Sequence, residues 1–190
     1  MPAPPAPWSV KIELTERCDF QYFFCASSQK LRAKQCIDWD FYTRIVMEIR
    51  GVGVEEVGVF YLGELLPFVR LAEAIHYAKQ DCGYLYIFLT TNGGMALPTR
   101  VKACMAAGLD SLKFSYNFAS SEQCKEVRGV DSFDQIVENI QAARCVLDEV
   151  EAETGHRFGI YASSIHYDGE QHEKMKGAVK LIEDHVDEHN

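Results

Sequence analysis

The chain has 190 residues, 47% of them hydrophobic and 25% charged, which suits one globular domain with a sizeable core. A formal net charge of −9 argues against a nucleic-acid binder or a partner of anionic membranes. No apolar run approaches the roughly 18 residues of a spanning helix, and no secretory signal opens the chain. Seven cysteines are scattered along the chain rather than clustered, so reduced thiols or metal ligands in a cytoplasmic protein are expected rather than disulfides.

Residues 1–8, MPAPPAPW, read as an extended, proline-stiffened leader, and 9–190 as a single domain. Five β-rich runs follow in chain order: WSVKIELT, EVGVFYL, LYIFLTT, SLKFSYN and RFGIYASSI. Helical patterns separate them, so the fold class is α/β with βαβ units and a mainly parallel sheet. Phe41, Ile45, Val46 and Ile49 mark the apolar stripe of the helix before strand two. Leu71, Ile75 and Ala78 mark that of the helix before strand three.

Pro98 fits the first turn of the next helix, and Gly108 suits its left-handed end. Ser132 and Gln135 spell a capping box ahead of a longer helix with Phe133, Ile136, Val137, Ile140, Ala143, Leu147 and Val150 on one face. The segment from Gln171 to His189 reads as a last helix, which leaves the edge of strand five uncovered; a domain incomplete at its C-terminal end, or pairing with another chain, is expected to account for it. About five βα units are too few for a closed eight-stranded barrel, so an open partial barrel is expected.

In such folds the residues just after each strand share one mouth. Here they are Thr15, Glu16, Arg17 and Cys18; Gly63 and Glu64; Thr91, Asn92 and Gly93; Ser115 and Asn117; and Ser163, Ser164 and His166. Turn chemistry alone would have to be invoked five times to explain them. Gly51-Val52-Gly53 precedes a strand and lacks the third glycine of a dinucleotide loop, which disfavours a nicotinamide enzyme. A mononuclear-metal hydrolase would have to begin from His166, Glu16 and Glu64. His185 and His189 stand four apart on the expected last helix, where the helix terminus accounts for them better than zinc does.

The ordered set of motifs resembles the radical S-adenosylmethionine (radical SAM) superfamily over about Lys11 to Ile165. In RCDFQYFFC, Cys18 and Cys25 take the first and third positions of that family's C-x3-C-x2-C motif, and Tyr22 stands at the middle ligand position. Cys36, eleven residues beyond Cys25, is a possible substitute ligand. Phe24 matches the aromatic residue that lies near the adenine. Leu62-Gly63-Glu64-Leu65 is similar to the GGEP motif, with Glu64 placed for the cofactor's ammonium. Thr91-Asn92-Gly93 is similar to the family's TNG, and Ser115 and Asn117 match its strand-four contacts to ribose or carboxylate.

The resemblance implies a [4Fe-4S] cluster and S-adenosylmethionine, cleaved reductively to a 5′-deoxyadenosyl radical that abstracts hydrogen from a small-molecule or peptide substrate. It also implies an electron donor such as flavodoxin or ferredoxin. The chemistry explains the residue types, because soft thiolates hold iron while an iron without a protein ligand can be chelated by the cofactor. Tyr22 offers a hard oxygen at that position. A non-catalytic barrel that binds cofactor or partner is therefore the alternative. Cys82, Cys104 and Cys145 are expected on or beside helix faces, and Cys124 in a loop or helix.

Overall fold

A computed structural model describes residues 5–20, 25, 34–166 and 168–190. Its strands are β1 (Ser9–Lys11), β2 (Glu56–Gly58), β3 (Tyr86–Thr91), β4 (Ser111–Ser115), β5 (Gly159–Ser163) and β6 (Glu188–His189). The helices are α1 (Trp39–Gly51), α2 (Leu71–His76, continued by a π turn to Asp81), α3 (Pro98–Ala107), α4 (Ser121–Arg128), α5 (Phe133–Thr154) and α6 (Gly169–Val179).

All neighbouring strands are parallel and follow chain order, β1-β2-β3-β4-β5-β6. The order never reverses, so there is no doubly wound switch point. A sheet that grows by one strand at a time, with a helix on the same outer side after each, is an open portion of a (β/α) barrel. Two residue sets alternate along β3. Ile87, Leu89 and Thr91 are buried under the helices, whereas Tyr86, Phe88 and Thr90 face the half-open inner side.

The helices carry most of the core. On α5, Ile136, Ile140, Ala143, Leu147 and Val150 are buried, as the apolar spacing implies. Pro98 opens α3 and Gly108 ends it at φ 107°, again as expected from sequence. Gly51 closes α1, and Gly53 turns the chain into β2 at φ 100°, so that pair is a helix-to-strand turn.

Several expectations need correction. Ser132 stands at the start of α5 but forms no capping bond; its hydroxyl pairs with the Cys124 thiol, and Asp131 accepts separately from Phe133 N. On α1 the buried positions are Tyr42 and Val46, while Phe41 is exposed. Tyr42 donates to the Ala74 carbonyl at 2.8 Å, so one phenol both fills the core and satisfies itself. Cys104, Cys124 and Cys145 do lie on helices, α3, α4 and α5, the first two buried and Cys145 exposed.

The C-terminal helix is also shorter than expected. It stops at Val179, a 3₁₀ turn spans Glu183–His185, and Glu188–His189 form β6 against β5. The edge of strand five is thus partly covered, and His185 and His189 do not share a helix.

Candidate functional site

The loop after β2 owes its position to close backbone approach. A Cβ on Gly63 would lie 2.0 Å from the Thr15 carbonyl oxygen, so no larger residue fits. Glu13 fixes the loop from the other side, accepting from Leu62 N at 2.9 Å and Gly63 N at 3.3 Å. Glu64 N donates to the Arg17 carbonyl at 2.8 Å. These bonds bring the loops after β1 and β2 together and aim the Glu64 side chain inward.

Glu64 is 3% exposed and accepts three hydrogen bonds. Leu66 N and the Thr91 hydroxyl reach Oε1 at 3.1 and 2.8 Å, and Asn92 N reaches Oε2 at 2.8 Å. Burial pushes its carboxyl above the ordinary range, while the donors from Asn92, Leu66 and Thr91 pull it down and Asp19 adds repulsion. Oε2 holds one of these donors and keeps capacity for another.

The loop after β3 is pinned equally well. Gly93 N donates to the Thr91 hydroxyl at 3.1 Å, and Gly94 N to Asn92 Oδ1 at 2.8 Å. Asn139, buried on the apolar face of α5, donates to the carbonyls of Gly93 and Gly94 at 2.7 and 3.2 Å. Asn92 turns its amide toward the β1 loop, giving 2.7 Å to Asp19 Oδ1 and 3.8 Å to Cys18 Sγ.

The Cys18 thiol is half-buried. Burial raises its pKa first of all, the Asp19 and Glu64 carboxylates add to that, and Phe20 N and the Asn92 amide oppose it. Such a thiol is protonated at neutral pH.

Cys18, Cys25, Gly63, Glu64, Thr91, Asn92, Ser115 and Asn117 line a single cavity of about 410 Å³, together with Phe60, Tyr61, Leu62 and Thr90. Asn117 Oδ1 also accepts from Ile165 N at 3.1 Å, which ties the mouth to the end of β5. Tyr22 and Phe24 lie outside the described residues. Cys36 is exposed, sits 3.5 Å from the Thr15 hydroxyl, and lines a second cavity of about 340 Å³ behind Cys18 and Glu64.

Among the described residues no three His, Cys, Asp or Glu side chains are grouped to hold a metal. His166 belongs to a different cavity, with His172 and His189, so it does not join Glu64. The Ser164 hydroxyl donates to the Tyr116 carbonyl at 2.5 Å and meets His189 Nε2 at 2.8 Å, so its proton is already committed.

Sequence reasoning missed Asn139, Glu13, Asp19 and Arg128 as holders of this mouth. Asn139 left a signal, a polar residue interrupting the apolar stripe between Ile136 and Ile140. Arg128 left only its place before Gly129 at a helix end.

Comparison with known proteins agrees with the geometry. The Radical SAM superfamily model matches residues 12–152. A probable GTP 3′,8-cyclase of Saccharolobus islandicus (strain M.14.25 / Kamchatka #1) is 30% identical over 136 residues, 70% of this chain and 42% of that protein. The same-named protein of Thermococcus kodakarensis is 28% identical over 136 residues, 71% of this chain and 43% of its own length. The chain thus spans about 42% of the length of the curated relatives it matches.

Among solved structures, Streptococcus suis SuiB bound to S-adenosylmethionine superposes with a TM-score of 0.72 at 17% identity, covering 97% of this chain and 38% of that one. Methylornithine synthase (PylB) gives 0.68 at 16% identity, covering 90% and 48%. At these identities the structural likeness establishes the fold. Among the described residues no helix is long and apolar enough to cross a membrane.

Proposed function

The chain belongs to the radical SAM superfamily, and from that premise we propose that its mouth holds S-adenosylmethionine beside an iron–sulfur centre on Cys18 and Cys25. One observation carries the reading: loops after four successive strands deliver two thiols, a buried carboxylate and a ring of amide and hydroxyl groups into one cavity of about 410 Å³. The donor chemistry fits. Two soft thiols suit iron, and a buried carboxylate with spare acceptor capacity suits an ammonium group. The chemistry these cofactors supply when bound is one-electron cleavage of the sulfonium, yielding methionine and a 5′-deoxyadenosyl radical for hydrogen abstraction.

The protein's own groups bind and orient. Glu64, aligned by its bonds to Leu66, Thr91 and Asn92, would hold the ammonium of S-adenosylmethionine. Ser115 and Asn117 offer hydrogen bonds to ribose hydroxyls or carboxylate, and Phe24 is assigned to the adenine. Tyr22 or Cys36 is left for the third iron. A small reducing protein of the flavodoxin or ferredoxin type supplies the electron.

A second reading is favoured by Tyr22, whose phenolic oxygen is a hard ligand at a position suited to thiolate: the barrel binds cofactor or partner and no longer cleaves. Anaerobic reconstitution with iron and sulfide, followed by dithionite and S-adenosylmethionine, separates the two. The first reading expects 5′-deoxyadenosine, with Tyr22→Cys raising bound iron, bound sulfide and the absorbance near roughly 400 nm. Cofactor binding without 5′-deoxyadenosine in either protein selects the second. Equal iron and sulfide in both proteins removes Tyr22 from the ligand set.

A further inference from the structure

Arg128 ends α4 with only 2% of its surface exposed. Its guanidinium carbon lies 4.1 Å from the centre of the Phe20 ring and 4.3 Å from that of Phe118. One Nη donates to the Asn92 carbonyl at 3.3 Å. It is not among the residues that line the 410 Å³ cavity. Burying a guanidinium is costly, and an apolar side chain would fill the same volume without that cost. An arginine here therefore calls for a role beyond filling space.

Its contacts give that role. Phe20 follows Cys18 by two residues, Asn92 directs its amide to Cys18 Sγ and Asp19, and Phe118 follows Asn117 of the cavity wall. The glycine at 94 lets the Phe20 ring sit against the strand-three loop, since a Cβ there would lie 2.6 Å from Phe20 Cζ. One flat cation thus joins the loops after β1, β3 and β4, through two ring faces and a carbonyl.

We propose that Arg128 is a positioning residue: held between Phe20 and Phe118 and bonded to Asn92, it locks the Cys18 loop in place before any metal arrives and puts a fixed positive charge against the Phe20 ring, two residues from Cys18. The proposal rests on the preceding reading only in treating Cys18 as a cluster ligand.

The first test uses the metal-free full chain, with iodoacetamide as probe and peptide mass spectrometry to follow each thiol. Cys18 reports the loop, and Cys104, buried on α3, reports global opening. Arg128→Met should speed Cys18 alkylation roughly tenfold while Cys104 stays protected, as expected for loss of a charge-assisted contact. An unchanged Cys18 rate overturns the proposal. If Arg128→Met opens both thiols together, Phe20→Leu decides, since it loosens the grip and keeps the cation; selective opening of Cys18 supports the proposal, and joint opening or none overturns it.

The second readout is one that packing alone would not move. In reconstituted protein the cluster midpoint should become more negative in Arg128→Met and return in Arg128→Lys, which keeps the charge. Arg128→Lys should still fail to protect Cys18, because an ammonium cannot lie flat between two rings. Equal midpoints in wild type and Arg128→Met overturn the charge role. If wild type takes up no cluster, the proposed function falls, while the thiol ratio still decides the positioning role.

Discussion

Replacing Glu64 by glutamine changes one buried acceptor into a donor with almost no change of shape. The carboxylate serves Leu66 N and the Thr91 hydroxyl on one oxygen and Asn92 N on the other, at 2.8 to 3.1 Å. A carboxamide has one acceptor oxygen, so whichever way it turns, at least one buried donor faces an NH₂ group. Leaving one such donor unmet costs about 1–3 kcal/mol.

Glu64 has its folded pKa raised, chiefly by burial, so its favourable contribution is fully present below the ordinary carboxyl range and is lost as pH rises through the folded value. Glutamine does not titrate. The stability gap between wild type and Glu64→Gln is therefore largest below the ordinary carboxyl range and narrows as pH rises above it, by no more than about 1.4 kcal/mol per pH unit. Urea unfolding of the metal-free chain at several pH values measures it. A gap that widens with pH would mean that the donors outweigh desolvation and that the carboxyl is held ionised, which refutes the reasoning.

Other outcomes follow from the same contacts. Gly63→Ala drives a Cβ to 2.0 Å from the Thr15 carbonyl, against fixed backbone, and should cost about 3 kcal/mol or more, whereas Gly51→Ala meets open space and should be nearly neutral; urea midpoints at equal m-values compare them. Asn139→Leu keeps the volume but deprives the Gly93 and Gly94 carbonyls of their donor, so cofactor affinity by calorimetry should fall severalfold while α5 keeps its helicity by circular dichroism. Asn92→Ala should release the Cys18 loop as Arg128→Met does, with faster Cys18 alkylation in metal-free protein.

What the sequence revealed of this molecule depended on period. Strands such as Tyr86–Thr91 and the long α5 announce themselves through alternation and helical spacing, because a buried face constrains every second or every third to fourth residue. β6, two residues long, is too short to show any period, so a helix pattern ran over it. The Ser132 cap failed for a local reason: the Cys124 thiol took the hydroxyl.

At the mouth, Cys18, Gly63, Glu64, Asn92, Ser115 and Asn117 could be read from the sequence because position after a strand fixes where they point. The holders behind them could not. Arg128 lies 110 residues beyond Cys18 on a helix whose apolar pattern is weak, and nothing local records which rings its guanidinium meets.

Opposite the mouth, at the amino ends of the strands, the sheet carries a repeated latch. Asp110, one residue before β4, donates its backbone N–H to the Ile87 carbonyl and accepts from Ile87 N at 2.7 Å, with Lys79 at 2.8 Å. Asp187, one residue before β6, does the same with Ile160 at 2.7 Å, with Arg144 at 2.8 Å. In each case an aspartate caps the start of the preceding strand and pairs with a helix cation, so strand order and helix docking are fixed by one side chain. The two differ in exposure, since the Asp110 side chain is 11% exposed and that of Asp187 42%. Solvent can replace much of what Asp187 provides but little of what Asp110 does. Asp110→Ala should accordingly cost about 3 kcal/mol, through an unmet strand amide and a largely buried lysine left with the Leu85 carbonyl but no counter-charge, and Asp187→Ala about 1 kcal/mol. Equal costs in urea unfolding would show that exposure does not set the strength of the latch, and that β6 is held to the sheet as firmly as the central strands are to each other.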